Sequence, residues 1–399
     1  MNILLVGGAV RDMLIGITPH DFDYLVQGAT VEQFMEAFPE AHQVGRDFPV
    51  FLVDGEEYAF ARTERKNGSG HVGFMTESHS TITVQQDLMR RDLTINAIAM
   101  CPESGNIIPA DERCIADIEN KVLRHTSGAF REDPLRVFRV ARFSAQHPNF
   151  TVAEETMLLM RDMKDELSEL SAERVFSEMQ KALSAIAPRR FFEVLRDCDC
   201  LAGWFGELSA LCGVPVGPSY GKHAGEADCF EHSMNVLDRV SSNDSTLRFA
   251  GLCHDFGKAL SEKPPIHHGH DERGVPAVES FCNRLKVPTH YRKSAMLFCR
   301  EHMRMHLIQE MRSGKAVALI MAMHKTMTGG LAGFLACSIG DGMAIEEARE
   351  IERRAASVIE ARLPAEYIGR GRACADIMMQ IRCGAWSERP ASRYAQEPC

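Results

Sequence analysis

Residues 4–26 read LLVGGAVRDMLIGITPHDFDYLV, and this stretch decides the fold. An apolar run from Asn2 to Val6 ends at Gly7-Gly8, where Val10, Met13 and Leu14 take up helical spacing. The reading is strand, glycine turn, helix. Backbone amides uncovered at such a turn suit phosphate, and Arg11 adds a cation to them. Farther on, Asp21 and Asp23 stand one residue apart at the head of a second apolar run. Alternate residues of a strand project from one face, so both carboxylates can converge on the same metal ions. Two-metal chemistry needs such acids to hold cations roughly 3.5–4 Å apart on the oxygens of an in-line displacement. A lone Asp-x-Asp is usually a strand with two solvated acids. Behind a phosphate-type turn, the pair points instead to a nucleoside triphosphate with Mg²⁺.

Working outward, the 399 residues suffice for two or more domains, and 45% hydrophobic with 25% charged content is that of an ordinary globular protein. No apolar stretch reaches the roughly 18 residues of a membrane span, and the N-terminal run lacks the flank and length of a signal peptide. Thirteen scattered cysteines without paired Cys-x₂-Cys spacing fit reduced thiols in a cytoplasm, with Cys198 and Cys200 as packing neighbours. A net charge of −10 argues against indiscriminate nucleic-acid binding, but basic islands at 62–66, 90–91, 131–142 and 189–190 leave room for one cognate RNA shape.

Short strand signals at Asn2–Val6, Asp23–Val26, Val50–Val53, Tyr58–Ala61 and Ile95–Met100 mix with helical patches over residues 1 to about 125. From Glu132 onward helical spacing takes over. The expected class is α+β, with a small mixed sheet followed by an all-helical remainder. Asp133-Pro134 predicts a helix start, acid at the N-cap and proline at the first helical position. Gly213 to Gly225 reads as a linker, Lys66 to Gly70 as a glycine-rich loop, and the last dozen residues as frayed.

Two further blocks carry chemistry. In Arg90-Arg91-Asp92-Leu93-Thr94-Ile95-Asn96, one arginine can be aimed at phosphates while Asp92 and Asn96 orient it or hold a ribose; the plain alternative is a solvated charge pair. In Glu132-Asp133-Pro134-Leu135-Arg136-Val137-Phe138-Arg139, the residues Asp133, Arg136 and Arg139 step by three and share a helical surface. They are either a cap with its ion pairs, or a carboxylate and guanidinium offering a base edge the donors and acceptors it needs.

Taken together and in this order, these blocks resemble the bacterial class II tRNA nucleotidyltransferases, the CCA-adding enzymes, of the multifunctional type with a C-terminal HD domain. The segments 45–51 and 61–66 belong to the same resemblance, which spans most of residues 1–345. It implies a polymerase β-like head over 1–140, a helical RNA-binding neck over 141–212, an HD domain over 226–345 and a helical tail over 346–399. It implies Mg²⁺ on Asp21 and Asp23, and nucleotide contacts from Gly8, Arg11, Arg91, Arg136 and Arg139. Asp133 with Arg136 would be the amino-acid template that pairs with CTP or ATP. The loop 64–73 would serve the final adenosine. The implied partners are CTP, ATP and the 3′ acceptor end of tRNA, for a cytoplasmic monomer or homodimer. One departure is at 109–114, where PADERC lacks the glycine of the family's hinge stretch, which bears on the switch from C to A.

His232, His254-Asp255 and Asp341 follow the H…HD…D order of HD phosphohydrolases, which implies a divalent transition metal such as Ni²⁺ and phosphatase or 2′,3′-cyclic phosphodiesterase activity on RNA ends. His267, His268, His270 and His302 lie between and are expected at a substrate phosphate. The competing readings are a poly(A) polymerase, which shares the head but generally carries a long basic tail; an HD-type hydrolase with an inactive head; and a non-catalytic RNA-binding module.

Overall fold

The computed structural model describes residues 1–44, 50–66, 74–77, 81–217, 225–240, 244–368 and 372–387. Most of the 45–51 block, the loop beyond Lys66, the middle of the 213–225 linker and the final dozen residues lie outside them. The chain divides into two compact units, residues 1–182 with 190–203, and residues 183–189 with 204–399.

In the first unit a seven-stranded mixed sheet runs in the order β3-β4-β5-β2-β1-β8-β9. Its strands are β1 (Asn2–Val6), β2 (Asp23–Gln27), β3 (His42–Val44), β4 (Val50–Val53), β5 (Glu56–Phe60), β8 (Ile98–Met100) and β9 (Ile107–Pro109); β6 (Thr63–Lys66) and β7 (Phe74–Glu77) form a separate ribbon. β1 is antiparallel to both β2 and β8, while β2 is parallel to β5. The register decides where the chemistry sits. Val6 pairs with Asp23, so the glycine turn leaving β1 and the acids entering β2 share one end of the sheet. The opposite face is closed by helix α2 (Val31–Ala37), whose Phe34 is fully buried against Phe51, Tyr58 and Phe60.

Gly7 turns with φ 71°, and helix α1 (Gly8–Leu14) starts directly after it. A Cβ on Gly7 would lie 3.0 Å from an Arg91 nitrogen, so glycine is required both for the backbone and for the approach of that arginine. Helices α3 (Val84–Met89), α4 (Arg113–Glu119), α5 (Leu135–Gln146), α6 (Glu154–Asp162), α7 (Ala172–Leu183) and α8 (Arg189–Asp197) follow. α5 is buried nearly all round, with Phe138 stacked on Phe191 of α8. Cys198 and Cys200 are both buried and unpaired, and Cys200 Sγ donates to the carbonyl of Met160.

Three expectations shift. The strand over Ile95–Met100 is instead a 3₁₀ turn at Thr94–Asn96 followed by β8, because Asn96 bends away from the sheet to bond Arg11 and Asp92. Strand β2 begins at Asp23, so Asp21 precedes it rather than sharing it. α5 begins at Leu135, one residue later than expected. Pro134 occupies the cap position, while Asp133 Oδ1 accepts from the Leu135 amide at 3.1 Å.

The second unit is helical: α9 (Gly206–Ser209), α10 (Cys229–Arg239), α11 (Ser245–Cys253), α12 (His270–Arg284), α13 (Thr289–Met305), α14 (Ser313–Thr326), α15 (Gly330–Gly340), α16 (Ile345–Glu360) and α17 (Arg372–Ser387). A Cβ on Gly257 would fall 1.9 Å from the His270 carbonyl, so only glycine lets the turn after His254-Asp255 press against the start of α12. Among the described residues no helix is long and apolar enough to cross a membrane.

Candidate active site

At the shared end of β1 and β2 the first unit opens into a cleft of about 1240 Å³. Gly7, Gly8, Arg11, Asp21, Asp23, Arg91, Asp92, Asn96, Asp133, Arg136 and Arg139 all line it. Every residue expected of the head site is therefore brought to one place.

The two acids are exposed to this cleft. Burial pushes the Asp23 carboxyl up, Arg91 pulls it down, and the charge on Asp21 adds to the upward push. The push that Asp21 puts on Asp23 is relieved when a cation sits between the two carboxylates. Their oxygens are the hard donors Mg²⁺ takes, so the residues present fit that ion.

Opposite the acids stand guanidiniums, each held by a partner. Arg11 donates to Asn96 Oδ1 at 2.7 Å and to Asp12 Oδ1 through Nε and Nη2. Asn96 in turn donates to Asp92 Oδ1 at 3.2 Å, and Asp92 Oδ2 accepts from Arg139 at 2.7 Å. This relay, Arg11–Asn96–Asp92–Arg139, orients two cations through one buried acid. Burial opposes ionisation of Asp92, but Arg139 and Asn96 outweigh it and hold the carboxyl well below its usual range. Arg91 and Arg90 share Asp87, which is 1% exposed and likewise held below its usual range by both against its burial. Arg136 Nη1 donates to the Ala129 carbonyl at 2.6 Å. Phe143 sits among three guanidiniums, those of Arg11, Arg139 and Arg142, at 5.3, 5.8 and 4.1 Å from its ring centre.

Asp133 finds a partner outside its own segment. Its Oδ2 accepts from Arg174 of α7 at 2.8 Å, forty-one residues along the chain. Arg174, Asp87 and Phe143 were not picked out from sequence. Asp87 at four residues before Arg91 was a helical-spacing signal; the Arg174 contact left none. The altered 109–114 stretch closes on itself, Arg113 pairing with Asp111 and reaching the Thr126 carbonyl at 2.8 Å.

The second unit holds a compact cluster. His232 and His254 face each other with Nε2 atoms 3.3 Å apart, and both Nε2 atoms lie 3.2–3.4 Å from Asp255 Oδ2 and Asp341 Oδ1. The four expected residues are thus together. His270 and His302 join them rather than standing apart: His270 Nε2 is 3.2 Å from Asp255 Oδ1 and 3.1 Å from His302 Nε2. His267 instead bonds Ser261 Oγ and the Pro215 carbonyl.

The outer nitrogens fix how these rings are protonated. Nδ1 of His254, His270 and His302 meets the carbonyls of Gly251, His267 and Cys299, and Nδ1 of His232 meets Glu226 Oε2, all at 2.7–2.9 Å. Carbonyls and carboxylates only accept, so each Nδ1 carries a hydrogen, and a ring that gives up its second proton to a cation presents the Nε2 lone pair inward. That is how metal-binding imidazoles are oriented. Neither oxygen of buried Asp255 receives a well-directed hydrogen bond, although Lys258 Nζ stands 2.6 Å from Oδ2. Burial opposes charge on His254, yet Asp255 and Asp341 push it up to about 10, whereas burial and His254 bring His302 down to about 4. The donor set fits a divalent transition metal.

Residues 3–124 match the family model of the poly A polymerase head domain, and residues 149–212 match that of a probable RNA- and SrmB-binding site of polymerase A. The chain is 46% identical over 329 residues to a multifunctional CCA protein of Shewanella frigidimarina, covering 80% of this chain and 78% of that protein. Among solved structures it resembles an apo CCA-adding enzyme with TM-score 0.68 at 16% identity, covering 98% and 89% of the two chains. It resembles the Bacillus stearothermophilus CCA-adding enzyme with CTP at TM-score 0.64 and 22% identity, covering 96% and 89%. The Thermotoga maritima CCA-adding enzyme complexed with tRNA matches at TM-score 0.65 and 16% identity, covering 98% and 88%. At these identities the structural likeness is one of fold.

Proposed function

The chain belongs to the family of multifunctional CCA proteins, and from that premise we propose that it adds C, C and A to the 3′ end of tRNA from CTP and ATP without a nucleic-acid template. The observation that carries this reading is the first unit's cleft, where Asp21 and Asp23 share with seven arginines, Arg11, Arg91, Arg136 and Arg139 among them, a space large enough for a nucleotide and an RNA end. The tRNA 3′-hydroxyl gives up its proton to water as its oxygen forms a bond to the α-phosphorus, the bond from that phosphorus to the bridging oxygen breaks, and pyrophosphate leaves. Asp21 and Asp23 would hold Mg²⁺, which supplies charge neutralisation at the reacting phosphate. Arg11 and Arg91 bind the triphosphate, with Gly8 at the turn beside it. The relay through Asn96 and Asp92 keeps Arg11 and Arg139 pointed into the cleft without rearrangement during reaction. Asp133 and Arg136 read the base, since a carboxylate accepts from an amino group where a guanidinium donates to ring acceptors. Asp133 keeps lone pairs for this beyond those given to Arg174 and Leu135.

Residues 1–140 act as the head, 141–212 as a neck on the acceptor arm, 226–345 as an HD domain and 346–399 as a tail, in a cytoplasmic monomer or homodimer. In the HD domain His232, His254, Asp255 and Asp341 would hold a divalent transition metal such as Ni²⁺, whose bound water becomes acidic enough to serve as a nucleophile near neutral pH. The substrates are phosphate esters and 2′,3′-cyclic phosphates at RNA ends. Incubating the protein with tRNA lacking CCA and labelled CTP and ATP, then sequencing the ends, tests the main reading. Ends in CCA support it; poly(A) ends or no addition overturn it.

A further inference from the structure

We propose that Phe143 is a positioning residue of the first unit's cleft, its ring seating the guanidiniums of Arg11 and Arg139 so that both are set in advance for the nucleotide's triphosphate. This deepens the reading of the cleft as a nucleotide site, and rests on it.

Phe143 lines the cleft one helical turn beyond Arg139 on α5. Arg11 reaches the same ring from α1. The guanidiniums of Arg11, Arg139 and Arg142 lie over the ring at 5.3, 5.8 and 4.1 Å from its centre, all within the roughly 6 Å reach of a cation–π contact. Phe143, Arg11 and Arg142 are all buried, and that attraction is strongest where water is excluded.

Each cation has its own acid: Asp12 for Arg11, Asp92 for Arg139 and Glu178 for Arg142. The acids balance the total charge, but three like charges still crowd around one side chain. An aliphatic residue at 143 would fill the space and offer those cations nothing. The face of a benzene ring carries negative potential, so it draws the guanidiniums to one place. It does so without claiming an N–H. Of the five N–H groups of Arg11, three go to Asp12 and Asn96, which leaves two for phosphate oxygens. A polar side chain at 143 would compete for those two; the ring does not. Cations fixed in this way hold the triphosphate in the bound complex before reaction as well as during it. The contribution of Phe143 therefore belongs in nucleotide binding rather than in turnover.

The test places 4-fluoro-, 3,5-difluoro- and pentafluorophenylalanine at position 143 of the full-length chain. Fluorine drains the negative potential from the ring face while nearly keeping the ring's outline, so it separates electrostatics from packing. Kd for CTP is measured by calorimetry with Mg²⁺, and kcat and KM for CTP incorporation are measured on tRNA lacking CCA. Kd and KM should rise stepwise with the number of fluorines, to roughly 5- to 20-fold for the pentafluoro ring, while kcat stays within about twofold. Should the pentafluoro protein fail to fold by circular dichroism, the trend over the unsubstituted, monofluoro and difluoro rings decides. If the parent binds and incorporates CTP but Kd and KM stay flat across the series, Phe143 is packing alone. That result overturns the inference and leaves the nucleotide-adding function standing. A fall in kcat with Kd unmoved overturns it as well. A parent that neither binds nor incorporates CTP overturns both.

Discussion

The cleft of the first unit and the histidine cluster of the second, both proposed to act on phosphates, are built by opposite means. In the cleft the positive charge is built in. Guanidiniums stay protonated at any working pH, and each is steered by an acid or amide beneath it, such as Asp92, Asp87 or Asn96. In the cluster the side chains supply imidazole nitrogens and carboxylates, and on the proposed reading a metal ion brings the charge that meets the phosphate. The difference teaches what each region can lose. On the proposed readings the cleft should fail gradually as individual arginines lose their supports, whereas the cluster should fail outright when one of its ligands goes.

The largest effects should separate the two regions cleanly. Asp23→Ala removes one of two metal-holding acids, so incorporation of both CTP and ATP should fall by several kcal/mol of barrier, about a thousandfold, while phosphate hydrolysis is unchanged. His254→Ala should do the reverse, abolishing hydrolysis and sparing CTP incorporation. Steady-state rates of both reactions on both variants decide this. Parallel loss of both activities in either well-folded variant would break the comparison.

Next in size is the relay. Asp92→Asn keeps the shape of the residue but strips Arg139 of its counter-charge and weakens the hold on Asn96. Arg139 is partly exposed, so the stability cost should be only about 1–3 kcal/mol by denaturant midpoint. Incorporation of CTP and ATP should drop together by roughly 10- to 100-fold. A loss confined to one nucleotide would mean that Asp92 reads the base instead of supporting the phosphate cations.

The cleft was legible in sequence because its parts are local. Gly7-Gly8, Asp21-x-Asp23, Arg90-Arg91-Asp92 and Asp133-x-x-Arg136-x-x-Arg139 each fit within a strand, turn or helical repeat, and the register Val6↔Asp23 only had to bring them to one end. The histidine cluster was half legible. Its ordered H…HD…D residues lie together as expected, but the contact of His270 and His302 with Asp255 left no trace in spacing, because nothing there shows that Gly257 lets α12 approach the turn. The bend at Asn96 was lost for a related reason. Ile95 to Met100 is apolar but for Asn96, like a buried strand, and the side-chain bonds of Asn96 to Arg11 and Asp92 pull its first part out of the sheet. The partnership of Arg174 with Asp133 joins two helices far apart in sequence, where periodicity is silent.

That partnership offers a finer test. Arg174→Gln leaves the cap from Asp133 Oδ1 to Leu135 in place but releases Oδ2. Both partners are partly exposed, so stability should change by about 1 kcal/mol or less. If Arg174 holds Asp133 in its base-reading pose, discrimination of CTP and ATP against UTP should weaken by roughly 2- to 10-fold, less than 1.4 kcal/mol. Unchanged discrimination would make the pair a plain brace between α5 and α7.

The smallest effect comes from histidines that sit in the two regions under opposite pressure. In the cluster, carboxylates push His254 up to about 10. In the first unit His147 follows α5, its ring near-parallel to Phe143, and burial together with Arg11 brings it down to about 4. A folded-state value below the unfolded one of about 6.5 means that the fold prefers the neutral ring. The associated stability is fully present above pH 6.5 and is lost as pH falls toward 4, because the unfolded chain takes up the proton first. The ring is only partly buried, so the discounted loss should be about 1 kcal/mol. His147→Gln cannot titrate. It should therefore lose less stability than the parent between pH 6.5 and 4, by about that amount, in urea midpoints measured across the range. Equal losses in the two proteins would show that the guanidinium field around Phe143 is screened at His147, and that the built-in charge of the cleft does not extend to the end of α5.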